Sequence, residues 1–119
     1  LETGELADPA LIRRAADLGL REGADFVKTS TGYVRVNAAP EAAEILLTAI
    51  RDCSRPAGFK AAGGIRTAAD AGRYLALADR FMGPGWAGPA TFRFGASGLL
   101  DDVLAHLDGT SPGSAGAGY

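Results

Sequence analysis

The sequence predicts an α/β chain that forms part of a parallel (β/α)8 barrel, on three observations. Apolar runs ending in small residues recur: Phe26, Phe59 and Phe92 lie 33 residues apart, and the runs close on Thr29-Ser30-Thr31-Gly32, Ala61-Ala62-Gly63-Gly64 and Gly95-Ala96-Ser97-Gly98. The runs are continuously apolar rather than alternating, as strands of a helix-covered parallel sheet are. Helical patterns with start signals separate them, and the spacing fits the roughly 31 residues per unit of a typical eight-unit barrel. Between three and four such units fit 119 residues. Half a barrel leaves two sheet edges to be covered by further chain or by a second copy. A doubly wound sheet competes, but the glycine pattern Gly83-Pro84-Gly85-Trp86-Ala87-Gly88 lies in a connection, contains a proline and is no dinucleotide fingerprint.

In chain order, Leu1-Glu2-Thr3-Gly4 reads as the end of a strand that begins upstream. Asp8 and Pro9 open a helix, as N-cap and first residue, whose apolar stripe is Leu11, Ala15 and Leu18 and which stops near Gly23. Pro40 opens a second, turning Ile45, Leu46, Ala49 and Ile50 inward, and Pro56 and Gly58 mark the return to strand. Thr67 and Asp70 form a capping-box signal for a third, which buries Ala71, Tyr74, Leu75 and Ala78. A fourth runs from about Gly98 to His106 with Leu99, Leu100, Val103, Leu104 and Leu107 as its apolar face. Residues 1–108 are read as one folded unit and 109–119, rich in Gly, Ser and Ala, as a flexible tail.

Composition narrows the function. With 47% hydrophobic residues and net charge −2, the chain is globular, and its ten dispersed arginines make no stripe for a nucleic acid backbone. No apolar run approaches the roughly 20 residues that span a bilayer, and no signal or lipidation motif is present, so no membrane association is expected. The single Cys53 fits a reducing compartment, and a cytoplasmic location is expected. One His and one Cys cannot compose a soft-ligand zinc site; His106 reads as a helix-end residue and Trp86 as packing.

The lysines carry the chemistry. Of twelve basic residues only Lys28 and Lys60 are lysine, and both sit inside strand-like runs 32 residues apart. Arginine keeps its proton, whereas a lysine beside another cation can become a neutral amine that attacks a carbonyl. At the ends of adjacent strands the two would disfavour each other's charge and leave one poised as a Schiff-base nucleophile. Alternatively, each pairs with an interior carboxylate. The glycine-rich exits Gly63-Gly64-Ile65-Arg66-Thr67 and Gly95-Ala96-Ser97-Gly98 each precede a helix and suit a phosphate.

Asp25-Phe26-Val27-Lys28-Thr29-Ser30-Thr31-Gly32, Gly58-Phe59-Lys60-Ala61-Ala62-Gly63-Gly64-Ile65-Arg66-Thr67 and Arg93-Phe94-Gly95-Ala96-Ser97, together with Glu2-Thr3-Gly4-Glu5-Leu6, Val36-Asn37-Ala38 and a C-terminal tyrosine, resemble deoxyribose-phosphate aldolase. The resemblance covers essentially the whole chain and implies about the last four βα units of a TIM barrel. It implies reversible cleavage of 2-deoxy-D-ribose 5-phosphate to D-glyceraldehyde 3-phosphate and acetaldehyde, without metal or organic cofactor. By the same resemblance Lys28 forms the Schiff base, Lys60 tunes it and Tyr119 assists proton transfer, while Gly32, Gly63, Gly64, Arg66, Gly95 and Ser97 surround the substrate phosphate. Tyr33, Ala61 and Gly98 depart from the family pattern, where relatives carry lysine, proline and serine. The family's proton-relay aspartate comes from an earlier strand, before the start of this chain. Homo-oligomerisation or a separate N-terminal half-barrel would complete the fold. The alternatives are a half-barrel that only self-associates or binds phosphate, and another Schiff-base sugar-phosphate aldolase.

Overall fold

A computed structural model describes residues 1–111. The expected tail from 112 onward and Tyr119 lie outside the described residues. Three parallel strands, β1 (Phe26–Lys28), β2 (Gly58–Ala62) and β3 (Phe92–Gly95), form a sheet in that order. Two helices precede β1: the single turn α1 (Thr3–Leu6) and α2 (Pro9–Arg21). Each strand is then followed by a helix, α3 (Pro40–Asp52), α4 (Ala68–Met82) and α5 (Gly98–Leu107). Parallel neighbours in sequence order, each joined by a helix, are the repeating unit of a (β/α) barrel.

One face of the sheet is covered. Val27, Phe59, Ala61 and Phe92 point from the strands into a core with Ile12, Ala16 and Leu20 of α2, Leu46, Leu47 and Ile50 of α3, and Ala71, Tyr74 and Ala78 of α4. Phe59 meets Phe92 edge to face at 5.6 Å, a favoured aromatic geometry. Helix α2 packs on α3, α3 on α4 and α4 on α5 along that one face. Lys28, Lys60 and Arg93 occupy the opposite face and belong to no core cluster. A doubly wound sheet would carry helices on both faces.

The register departs from the phenylalanine spacing. Phe59 pairs with Phe92, but Phe26 pairs with Gly58 and Val27 with Phe59. The 33-residue interval therefore holds from β2 to β3, and the interval from β1 to β2 is 32, the lysine spacing. One residue of offset reverses a strand side chain, so Phe26 lies on the open face, away from Phe59 and Phe92. The N-terminal residues partly match the expected strand end. The Leu1 nitrogen donates to the Lys28 carbonyl at 2.7 Å and the Thr3 N–H to the Thr29 carbonyl at 3.1 Å, before the chain turns into α1. Three complete βα units and the edge of a fourth are described.

The helix starts follow their signals. Asp8 accepts from the Ala10 N–H at 2.8 Å, with Pro9 at the first helical position. In α4 the Thr67 hydroxyl accepts from the Asp70 N–H at 3.0 Å, and the Asp70 carboxylate accepts from the Thr67 N–H at 3.2 Å, a complete capping box. The Thr67 side chain foremost, with the N–H groups of Arg66 and Thr67, holds the Asp70 carboxyl below its usual range. A carboxyl depressed in the folded state stabilises above its unfolded pKa, and that contribution disappears as pH falls through the folded value. Thr67→Ala is expected to cost about 1 kcal/mol at neutral pH. The measurement is a denaturant midpoint that falls with unchanged slope; an unmoved midpoint would contradict the role of the cap.

Several helix faces are turned from expectation. Leu11 and Leu18 are exposed and Ala15 half-buried, while Ile12, Ala16 and Leu20 face the core. Both stripes obey helical spacing, and the sheet takes the second. Leu75 is exposed beside buried Tyr74 and Ala78, and Ile45 is only partly buried. In α5 only Leu99 of the expected face is buried and Val103 is partly so, while Leu100, Leu104 and Leu107 are exposed. The buried position is instead Asp102, whose carboxylate accepts from the Ala68 N–H at 2.7 Å at the start of α4. That bond fixes the rotation of α5. Trp86 packs against the core as expected, His106 is exposed, and no described helix is long and apolar enough to cross a membrane.

Candidate active site

Because the strands are parallel, their C-terminal ends gather at one end of the sheet. Lys28 on β1 and Lys60 on β2 are Cα partners, and Lys60 and Arg93 on β3 are the next pair. Partner residues of parallel strands point to the same face on backbones about 4.8 Å apart, so three cationic side chains stand in one row on the open face. Both lysines are half-buried and Arg93 is exposed.

The path of Lys60 is set by what lies beside it. A Cβ on Gly95 would come within 2.9 Å of the Lys60 Cε and 2.8 Å of the Ala62 Cβ, so the lysine stem runs across the space that the glycine leaves. Gly95, expected beside phosphate, is thus also packed against the second lysine.

Past Lys28 the β1–β2 ladder is continued by side chains. The Thr29 N–H donates to the Lys60 carbonyl at 3.2 Å, and the Thr29 hydroxyl both donates to the Ala62 carbonyl and accepts from the Ala62 N–H at 3.0 Å. The Ser30 hydroxyl reaches the same carbonyl at 2.7 Å and lies 3.1 Å from the Asn37 Oδ1. Both residues are fully buried, and every group they spend there anchors the strand end that carries Lys28. Asn37 donates from its amide to the Val34 carbonyl at 2.9 Å. Gly63, at φ +88°, lies so close that a Cβ would fall 2.6 Å from the Asn37 Cβ. From the N-terminal segment, the Glu2 carboxylate accepts from the Thr31 N–H at 3.0 Å. The Thr31 side chain above all holds the Glu2 carboxyl below its usual range, with Lys28 a smaller contributor. Thr29, Ser30, Asn37 and Glu2 were not singled out from the residues, although the segments around Glu2 and Asn37 carry the resemblance.

The expected phosphate residues divide. Gly32, Gly63 and Gly64 all adopt positive φ, at +91°, +88° and +79°, so the exits of β1 and β2 use the backbone freedom of glycine. The N-terminus of α4 is already committed: the N–H groups of Arg66 and Thr67 bond to Asp70, and that of Ala68 to Asp102. Any anion there meets Gly63, Gly64 and the exposed Arg66 side chain rather than the helix end. Ser97 stands at the N-cap of α5 without a side-chain cap bond. Tyr33 is exposed.

A parallel sheet with helices on one face, and two lysines side by side on the other at the strand ends, defines a segment of a (β/α) barrel with an amine-bearing site. The chain belongs to the DeoC/LacD family of aldolases, whose family model matches residues 2–100. It is 62% identical over all 119 residues to a deoxyribose-phosphate aldolase of Agrobacterium fabrum, of which it covers 46%. Two crystal structures assigned as deoxyribose-phosphate aldolase from Toxoplasma gondii ME49 share the fold. One, an apo form, matches with a TM-score of 0.78 and 26% identity over 86% of this chain and 41% of that one. The other matches with 0.72 and 28% over 80% and 40%. The chain thus spans about half the length of the relatives it matches.

Proposed function

We propose that the chain supplies the Schiff-base portion of an enzyme that reversibly cleaves 2-deoxy-D-ribose 5-phosphate to D-glyceraldehyde 3-phosphate and acetaldehyde. The observation that carries the reading is the register of Lys28 against Lys60 on the open face of the sheet. That register sets two amine-bearing side chains next to each other at the strand ends, one to attack a carbonyl and one to assist. The Lys28 amine adds to the substrate aldehyde carbon and loses water to give an iminium ion. The C3 hydroxyl gives up its proton, the C2–C3 bond breaks, and its electron pair moves into the iminium to form an enamine. Glyceraldehyde phosphate leaves, C2 takes a proton, and hydrolysis returns acetaldehyde and free Lys28. Lys60 stands beside the reacting nitrogen to hold or pass a proton. Gly32, Gly63, Gly64 and Arg66, with Gly95 and Ser97 on the next exit, surround the phosphate. Tyr119 is proposed to assist the proton transfer, and the relay aspartate to come from an earlier strand. We place the enzyme in the cytoplasm.

The test is to treat the full-length protein with acetaldehyde and borohydride and to map the reduced adduct by peptide mass spectrometry. An adduct on Lys28 is expected; an adduct spread over surface amines, or none, would overturn the assignment.

The open flanks bear on assembly. Leu11 and Leu18 of α2, and Leu100, Leu104 and Leu107 of α5, are apolar and exposed on the first and last helices of the layer. The remaining barrel units are the proposed cover. The isolated 119-residue chain is therefore expected to sediment as an associated species, and a stable monomer would contradict this reading.

A further inference from the structure

The exits of β2 and β3 are tied to each other at both ends. At the strand ends the tie is the sheet itself, whose last pair is Ala62 with Gly95. At the far ends a side chain makes it, where the Asp102 carboxylate accepts from the Ala68 N–H at 2.7 Å. Ala68 is the first residue of α4 and Asp102 the fifth of α5, about 6 Å along that helix. The backbone from Ala62 to Ala68 and from Gly95 to Asp102 thus closes into a frame, with Gly63, Gly64 and Arg66 along one side, Ser97 along the other and Gly95 at a corner. Asp102 is the one charged residue buried among the described residues, at 7% exposure, and a charge is rarely buried without a task. The capping box of α4 is complete without it, since Asp70 takes the N–H groups of Arg66 and Thr67. What Asp102 adds is the link across to α5, a helix in which Leu99 is the only other buried residue.

We propose that Asp102 is a positioning residue for the phosphate of the substrate, holding the β2 and β3 exits at the separation that one phosphate group bridges. The inference rests on the reading that these exits surround the phosphate. An anion that bridges two loops feels any change in their spacing, because its hydrogen bonds to both must form at once. Lys28 and Lys60 feel it far less. They lie in the ladder before the frame, where the β1–β2 and β2–β3 pairs set their positions. Gly95, beside the Lys60 stem, is itself held in that ladder by Ala62. Asp102 therefore acts on the binding of a phosphorylated sugar and not on the amine chemistry.

The experiment compares 2-deoxyribose 5-phosphate with 2-deoxyribose as substrates of the full-length enzyme, with circular dichroism as the folding control. Asp102→Ala is expected to raise KM for the phosphorylated sugar about 5- to 20-fold, below the roughly hundredfold that an ångström of misplacement costs. Its kcat should stay within about twofold of wild type, and kcat/KM for the unphosphorylated sugar should not change. Asp102→Asn keeps an oxygen at the same reach for the Ala68 N–H and should restore KM to within about twofold of wild type. Should Asp102→Ala not fold, Ala68→Pro cuts the bond from the other side. Proline lacks the N–H, suits the first position of a helix, and would follow Thr67, which is already extended at φ −120° and ψ 158°. It should raise the same KM alone. An unmoved KM, or an equal loss on both sugars, in the variant that folds overturns the proposal. So does a KM that falls in Asp102→Asn, because the carboxylate would then repel phosphate rather than frame its site. A wild-type enzyme that treats the two sugars alike and is not inhibited by inorganic phosphate would refute the phosphate reading itself, a different failure from a discriminating enzyme indifferent to Asp102.

Discussion

Lys28→Ala in the complete barrel is expected to lower kcat/KM for deoxyribose phosphate cleavage by 10⁴-fold or more, on the order of what removal of a covalent nucleophile costs. The loss should be equally deep in Lys28→Arg. Arginine keeps the positive charge and most of the stem, but it cannot present a neutral amine, so charge and packing are separated from nucleophilicity. The fold should survive both changes. Lys28 is half-buried on the open face, and the strand end that carries it is held by Thr29 and Ser30 through bonds to Ala62 that do not involve the lysine. Steady-state kinetics with circular dichroism as the folding control decides the matter. Cleavage within tenfold of wild type in either variant would remove Lys28 from the mechanism.

The sequence carries the strand-helix order plainly, because its punctuation is local. Asp8-Pro9, Thr67 with Asp70 and the glycine-rich exits each act through contacts within a few residues, and the structure forms both caps as read. Rotation and register were less legible, because they depend on partners far away in the chain. Helix α2 carries two adjacent stripes of sound helical spacing, and only the position of the sheet selects Ile12, Ala16 and Leu20 over Leu11, Ala15 and Leu18. In α5 a leucine-rich face yields to Asp102, because the start of α4, 34 residues earlier, supplies the N–H that the carboxylate takes. The stripes that lost are informative in their own right. They leave apolar surface on the first and last helices of the layer, where a longer barrel would place its remaining units.

At the site, two clocks ran in the sequence and gave different registers. Phenylalanines at 33 suggested that Phe26, Phe59 and Phe92 were equivalent, while lysines at 32 aligned β1 with β2 differently. The structure follows the lysines there and the phenylalanines from β2 to β3. Adding 32 to Lys28 and 33 to Lys60 leads to Arg93, so the third member of the row was written in the chain. It was hidden because arginine is the common cation of this sequence and did not stand out as the lysines did. Thr29 and Ser30 were read as small strand-end residues, yet their hydroxyls do the work of backbone at the point where the strand pairing ends.

The sharpest test of the strand β3 exit is Gly95→Ala, because two roles for this glycine predict different patterns of loss. The added methyl would stand 2.8 Å from the Ala62 Cβ, which is fixed to the centre of the sheet, and 2.9 Å from the Lys60 Cε, which can move. Part of the strain falls on the β2–β3 spacing, at a cost of about 1–3 kcal/mol in stability. The rest pushes the Lys60 stem away from its present path. If Lys60 assists at the reacting nitrogen as proposed, displacing it by even a fraction of an ångström is expected to lower kcat about 10- to 100-fold. That loss should be the same for deoxyribose phosphate and for 2-deoxyribose without its phosphate, since in the proposed mechanism both form the same imine at Lys28. If Gly95 serves instead only to let phosphate approach the backbone, the variant should raise KM for the phosphorylated sugar and leave the unphosphorylated one unchanged. A Lys60 role therefore stands or falls on the ratio between the two substrates: constant under Gly95→Ala if the glycine makes room for the lysine, and collapsed toward unity if it makes room for the phosphate.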